Sequence, residues 1–433
     1  MDFMADDLEK NSPAINFIPC LAWVRRGVAK PIPDRVKLTA EELGAVISQT
    51  KQELSELEEE GVEKENCAEE SNANTSEQET IVKVEKGEKT EEDIMAEYGL
   101  DNYDEEAEEK EGGARLLGLG DLTAFADPRE DPYLSTLDKD LGEEDEEDRE
   151  DWNIRATDNL LLAGHVEGDS STLEVYVYND VEDALYIHHD ILLPSFPLAL
   201  EWLSFDPESD TRGSLVAVGS MQPVIEVWDL DLVDSLEPAF RLGQKPSKKK
   251  GLKRIGHKEA VLALAWNQQV DHVMASGGAD QALVLWDLSS QAEAGRLPGH
   301  GEKVQSLAWQ PGQPQSLLSG CCDGIVRLYD CRAAGQGPGG QWQLQGEVER
   351  VAWDHFRPEL CLASTDQGQV FCLDSRSPGS PLWTLAAHTE AVTGISLSPQ
   401  CPGCLVTVSQ VCSINLMFLF LLGALRISIY NSP

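Results

Sequence analysis

Histidine, serine and aspartate at fixed intervals come nearest to a reaction centre in this sequence. His257, Ser276 and Asp280 could together supply a base, a nucleophile and an orienting carboxylate. The same three types recur at the same intervals as His300, Ser319 and Asp323, and each Asp is followed six residues on by a large ring, Trp286 or Tyr329. An enzyme needs one such centre, so a trio repeated in consecutive units points to architecture.

Other patterns carry less. His188-His189-Asp190 suggests a metal, but adjacent side chains on a strand face opposite ways and no third ligand is placed nearby. Cys401-Pro-Gly-Cys404 is a lone CxxC without the second pair of a zinc finger, and the ten cysteines form no regular framework, which suits reduced thiols. Gly335 to Gly340 fits GxGxxG, yet Pro338 interrupts it and a strand pattern follows where a dinucleotide loop needs a helix. There is no P-loop. We assign no catalytic, cofactor-binding or metal-binding residue and expect no cofactor.

The elements that would position the trios repeat every 44 residues or so. Trp266, Trp309 and Trp353 stand 43 and 44 apart, Leu397 falls another 44 on, and Trp286-Asp287, Tyr329-Asp330 and Leu373-Asp374 run in parallel. Short alternating apolar runs such as VLALAW and ALVLW, separated by Gly, Asp and Pro turns, predict strands rather than helices. The pattern GH … GGAD-x5-WD resembles the WD repeat, one four-stranded blade of a β-propeller. That resemblance implies that a buried Asp in a tight turn accepts from a loop His, which reaches a strand Ser and the strand Trp. The implied sets are His257, Ser276, Asp280 and Trp286, then His300, Ser319, Asp323 and Tyr329. Burying these groups without partners would cost several kcal/mol, ~2–7 each, so the roles are structural.

Weaker copies complete the series. One unit ends in Trp228-Asp229, Asn159 to Asn179 is expected as the inner part of another blade, and the Cys361 to Asp374 unit has Gln367 and Leu344 in the Asp and His slots, so packing alone should hold it. His388 heads a sixth unit, but Val411 and Met417 stand where Asp and Trp belong. The expectation is an all-β WD-repeat propeller over 151–410, incomplete at about five to six blades of seven, with an aberrant apolar tail at 411–433. The unbroken run Leu416 to Leu425 is ten residues, about 15 Å as a helix against roughly 30 Å of hydrocarbon, so an improvised strand or exposed tail is preferred to a membrane anchor.

Charge is uneven. Met1 to Asp151 holds 45 acidic and 16 basic residues, net −29, while the remainder is net −14. Residues 1–150 are therefore expected to be largely disordered. Thr39-Ala-Glu-Glu42 is a capping box that predicts a short helix over 40–60. Ser55, Ser76 and Thr90 precede acids by three residues, which makes them possible phosphosites. The acidic runs suit basic protein partners such as histone tails or ribosomal proteins. MDFMADDLEK lacks the basic n-region of a secretory signal. An insert between blades carries Lys245, Lys248, Lys249, Lys250, Lys253 and Arg254, read as a nuclear-import signal or a sequence-blind nucleic-acid contact, since no aromatic platform accompanies it.

CLAWVRRGVAK, AEYGLDNYDEE, YIHHDILL, EWLSFDP, VIEVWDLDLVDSLEP and ERVAWDHF together resemble the periodic tryptophan protein 1 family over about Cys20 to Ser409. The resemblance implies a non-enzymatic scaffold of the nucleus and nucleolus, linked to ribosome biogenesis, ribosomal RNA transcription and chromatin. Residues 1–19 depart from the family pattern, as does the ending, which has the form of an alternative or read-through transcript. The competing expectations are a membrane-tethered adaptor through the tail and a propeller hydrolase.

Overall fold

The computed structural model describes residues 16–35 and 152–430, apart from 169, 208–211, 247–250, 334–336 and 421–422. These residues build six four-stranded antiparallel sheets, the blades of a β-propeller. The predicted helix over 40–60 and Ser55, Ser76 and Thr90 lie outside the described residues.

In chain order the strands are β1 (Asn16–Val24), β2 (Asp34–Arg35), β3 (Asn159–Glu167), β4 (Ser170–Asn179), β5 (Ala184–Leu192), β6 (Pro197–Leu203), β7 (Leu215–Ser220), β8 (Ile225–Asp229), β9 (Leu232–Val233) and β10 (Phe240–Leu242). Blade three holds β11 (Val261–Trp266), β12 (Val273–Gly278), β13 (Leu283–Asp287) and β14 (Ala292–Leu297), and blade four holds β15 (Val304–Trp309), β16 (Ser316–Cys321), β17 (Ile325–Asp330) and β18 (Gly340–Gln343). Blade five is β19 (Val348–Trp353), β20 (Leu360–Thr365), β21 (Gln369–Asp374) and β22 (Trp383–Ala386), and blade six is β23 (Gly394–Leu397), β24 (Cys404–Ser409), β25 (Ser413–Phe420) and β26 (Gly423–Tyr430). Blade two is ordered β6-β7-β8-β10, and β2 and β9 form a small parallel pair outside the blades.

Burial explains the sequence pattern. Middle strands are covered on both faces, so β7 (LVAVGS) and β20 (LCLAST) are buried throughout, whereas outer strand β14 (AEAGRL) alternates exposed and shielded positions. The cores lie between blades: Leu215, Val227 and Leu242 of blade two pack with Val261, Trp266 and Trp286 of blade three. Close approach demands glycine at one recurring position of the second strand. A Cβ on Gly277 or Gly320 would lie 2.6 Å from a methyl of Val304 or Val348, which begins the next blade. The periodic tryptophans fasten the same seam: Trp309 Nε1 donates to Ala265 O (2.9 Å) and Trp353 Nε1 to Ala308 O (3.0 Å), each in the preceding blade.

The ends of the propeller correct the sequence reading. Asn159 to Asn179 supplies the second and third strands of blade one, not its inner part. The innermost strand is β1, which pairs antiparallel with β3 from Asn16↔Glu167 to Val24↔Leu160 and comes from the segment expected to be disordered. Beyond Ser409 the chain continues as β25 and β26, with Leu405↔Met417 and Met417↔Arg426 in register. No helix among the described residues is long and apolar enough to cross a membrane.

Candidate functional site

Blade three joins its four signature residues in one buried chain. The turn after β12 presents Asp280, whose Oδ1 lies 2.9 Å from His257 Nδ1 and whose Oδ2 accepts from Lys258 N (2.7 Å). His257 Nε2 is 2.7 Å from Ser276 Oγ, which also accepts from Trp286 Nε1 at 2.7 Å. With Nδ1 donating to the carboxylate, Nε2 is left to accept the serine hydroxyl, so every polar atom is matched. Burial opposes the Asp280 charge, but the His257 hydrogen bond and the turn N–H groups outweigh it and hold the carboxyl below its ordinary range. Ser276 is wholly buried and His257 is 1% exposed, so this serine has no access to a substrate.

Blade four is wired differently, which corrects the expectation that Asp323 accepts from His300. Arg327 stands between them. Its guanidinium donates to Asp323 Oδ2 (2.6 Å) and Oδ1 (3.1 Å) and reaches His300 Nδ1 at 3.3 Å. His300 Nε2 faces Tyr329 OH (3.2 Å) and Ser319 Oγ (3.4 Å), and the phenol donates to Pro298 O (2.9 Å). Burial, then the Arg327 charge, lowers His300 to about 4, so the ring is neutral and accepts at Nδ1. Burial also pushes Tyr329 up to about 12. Arg327 pairs with Ser319 as Val284 pairs with Ser276, so an arginine has replaced a core valine. The signal available in the sequence was a charged residue on the apolar strand IVRLYD.

Blades five and six improvise. In blade five Asp366, one residue before Gln367, accepts from Glu347 N (2.8 Å), so packing is not alone, while Leu344 is buried at the His position. In blade six His388 Nε2 lies 2.9 Å from Thr407 Oγ1 and Nδ1 lies 2.9 Å from Ser413 Oγ, with the buried Asn415 amide donating to Ala387 O. Ser413 and Asn415 thus do the work of the missing Asp, and Met417 fills the Trp position wholly buried.

The remaining motifs resolve as follows. A bulge at His188, between Val175↔His189 and Tyr176↔Ile187, turns both imidazoles the same way, and their Nδ1 atoms are 2.8 Å apart, contrary to the expected opposition. Burial lowers His189 to about 4. Among the described residues no three His, Cys, Asp or Glu side chains form a metal cluster. Cys401 and Cys404 bracket a turn as free thiols, and burial pushes Cys20 and Cys331 up to about 12.

The basic insert leaves blade two through an antiparallel bridge, Gln244↔Ile255, which closes its base. Lys245 Nζ donates to Gln222 Oε1 (2.7 Å) and Arg254 to Lys258 O (3.1 Å); Lys248, Lys249 and Lys250 lie outside the described residues. Because strands alternate in direction, this insert emerges on the face that carries the Asp280 and Asp323 turns.

The family model for the WD domain, G-beta repeat, matches residues 249–287 and 292–330, which are blades three and four. A periodic tryptophan protein 1 homolog from Drosophila melanogaster is 38% identical over 402 residues, 92% of this chain and 83% of the relative. Periodic tryptophan protein 1 from Saccharomyces cerevisiae is 30% identical over 447 residues, 89% of this chain and 75% of the relative. A ribosome biogenesis protein WDR12 homolog from Drosophila virilis is 27% identical over 186 residues, 42% of this chain and 43% of the relative. By the extent and identity of these matches, the chain belongs to the periodic tryptophan protein 1 family.

Proposed function

We propose that the protein is a non-enzymatic WD-repeat scaffold that assembles proteins during ribosome biogenesis in the nucleus and nucleolus. One observation carries the non-enzymatic part: His257, Ser276 and Asp280, which have the residue types of a reaction centre, are tied up in one hydrogen-bonded chain with Trp286 inside a blade. Similarity to a ribosome biogenesis protein supports the pathway. The net charge of −43 favours basic protein partners, among them ribosomal proteins and histones, the latter consistent with a role in ribosomal RNA transcription and chromatin. The lysine-rich insert, on the same face as the Asp turns, is the surface for import or for sequence-blind contact with RNA or DNA.

Proximity labelling with the full chain tests this reading. Enrichment of nucleolar assembly factors is the expected result; enrichment of secretory-membrane neighbours would instead favour tethering through 411–433. Replacing Lys245, Lys253 and Arg254 by glutamine should weaken RNA binding and flatten its salt dependence, and an unchanged salt slope would remove the insert from the proposal.

A further inference from the structure

On the face opposite the Asp turns, the ends of β6, β11 and β15 enclose a cleft of about 460 Å³ walled by Trp266 and Trp309, with Glu201 on its wall and His355 at its edge. Its buried donors are already committed to backbone carbonyls. Trp266 Nε1 donates to Asp271 O (2.7 Å), Trp309 Nε1 to Ala265 O (2.9 Å) and Gln310 Nε2 to Pro358 O (2.6 Å). Gln268 and Gln269 are exposed amides at the cleft's rim, so what the buried wall retains is the Glu201 carboxylate and aromatic surface. Glu201 uses Oε1 to accept from Trp266 N (3.0 Å), and neither lysine nor arginine lines the cleft to neutralise it. A ligand that enters must therefore bring donors and positive charge.

We propose that this cleft receives an arginine side chain from a partner protein. A guanidinium is planar, stacks on indole and is weakly hydrated, so it loses less than an ammonium on leaving water, and its fork of N–H donors suits a carboxylate such as Glu201. The strongly acidic chain draws basic segments toward the protein.

Burial raises Glu201 to about 7, against the Trp266 N–H that lowers it, so an entering cation displaces a proton. Arginine binding should tighten as pH rises from 6 to 8. His355 is the other titratable group lining the cleft, and its replacement separates it from Glu201 in the test below.

The test is fluorescence-anisotropy binding of a dye-labelled Gly-Ser-Arg-Ser-Gly peptide, amidated at its C-terminus, to the full chain, beside its lysine and citrulline counterparts. Arginine should bind best, and citrulline, which keeps the shape without the charge, should lose roughly tenfold or more. Glu201→Gln preserves an oxygen for Trp266 N–H yet should weaken arginine binding by a similar factor and remove the pH dependence, while His355→Asn should keep both. Equal binding of the citrulline or lysine peptide would overturn the assignment. So would a flat pH profile in the wild-type and His355→Asn proteins, a result that stands whether or not Glu201→Gln folds.

Discussion

In blade three, Nδ1 of the histidine donates to Asp280; in blade four the same ring atom accepts from Arg327, and Asp323 is reached only through that guanidinium. The two blades share His, Ser and Asp at the same intervals, but Arg327 stands where blade three has Val284, and Tyr329 where it has Trp286. A carboxylate with a histidine donor can be satisfied in a small apolar space. Once an arginine enters, the carboxylate becomes half of a buried ion pair, and the ring beside it must remain neutral. The repeat thus conserves a hydrogen-bonded turn while leaving its internal charge distribution free to change.

The largest effect should come from Asp323→Ala, which strands Arg327, 5% exposed, without its partner and should cost about 3–5 kcal/mol in urea unfolding. Arg327→Val should cost much less, because Asp323 can then face His300 as Asp280 faces His257; equal losses would refute the distinction between the blades.

Ser276→Ala should cost about 1–3 kcal/mol by leaving Trp286 N–H and His257 Nε2 unpaired. Ser319→Ala should cost clearly less, since its contacts are 3.4 and 3.5 Å. Tyr329→Phe removes the bond to Pro298 O and should cost about 1 kcal/mol.

Acid should separate the blades as well. His300 titrates near 4 when folded and at about 6.5 when unfolded, so the unfolded chain takes up the proton first and stability falls as pH drops from about 6.5 toward 4. His300→Gln should reduce the slope of urea midpoints across that window, the remainder belonging to His189, which burial also lowers to about 4. Asp280 and Asp323 are both held below the ordinary value of about 3.9, so their contribution is present above it and disappears only as pH falls through their folded values. Smallest of all, Val411→Asp should change stability by no more than about 0.5 kcal/mol, because position 411 is 42% exposed and Ser413 already holds His388.

The sequence displayed most about the blades where spacing and composition coincide. Intervals from His257 end on Ser276 and Asp280, which hydrogen-bond to it, and apolar runs locate the doubly covered middle strands. Arg327 was overlooked, although it is a charged residue on an apolar strand, because a signature names the turn and the ring, not the strand position between them. The bulge at His188 was hidden because alternation assumes an unbroken pleat. Ser413 and Asn415 escaped notice because they supply the missing acceptor and donor from different positions. β1 escaped because pairing across a long acidic interval leaves no local pattern: Arg26 and Asn159, bonded at the end of that strand pair, are 133 residues apart.

That separation has a consequence for biosynthesis. The earliest strand among the described residues is the innermost strand of blade one, and it must wait without its partner until Asn159–Glu167 has been translated. Nascent chains stalled before that point would leave Cys20 and Val24, which the finished blade buries, open to solvent, whereas Leu21 and Trp23 stay exposed even after β1 docks.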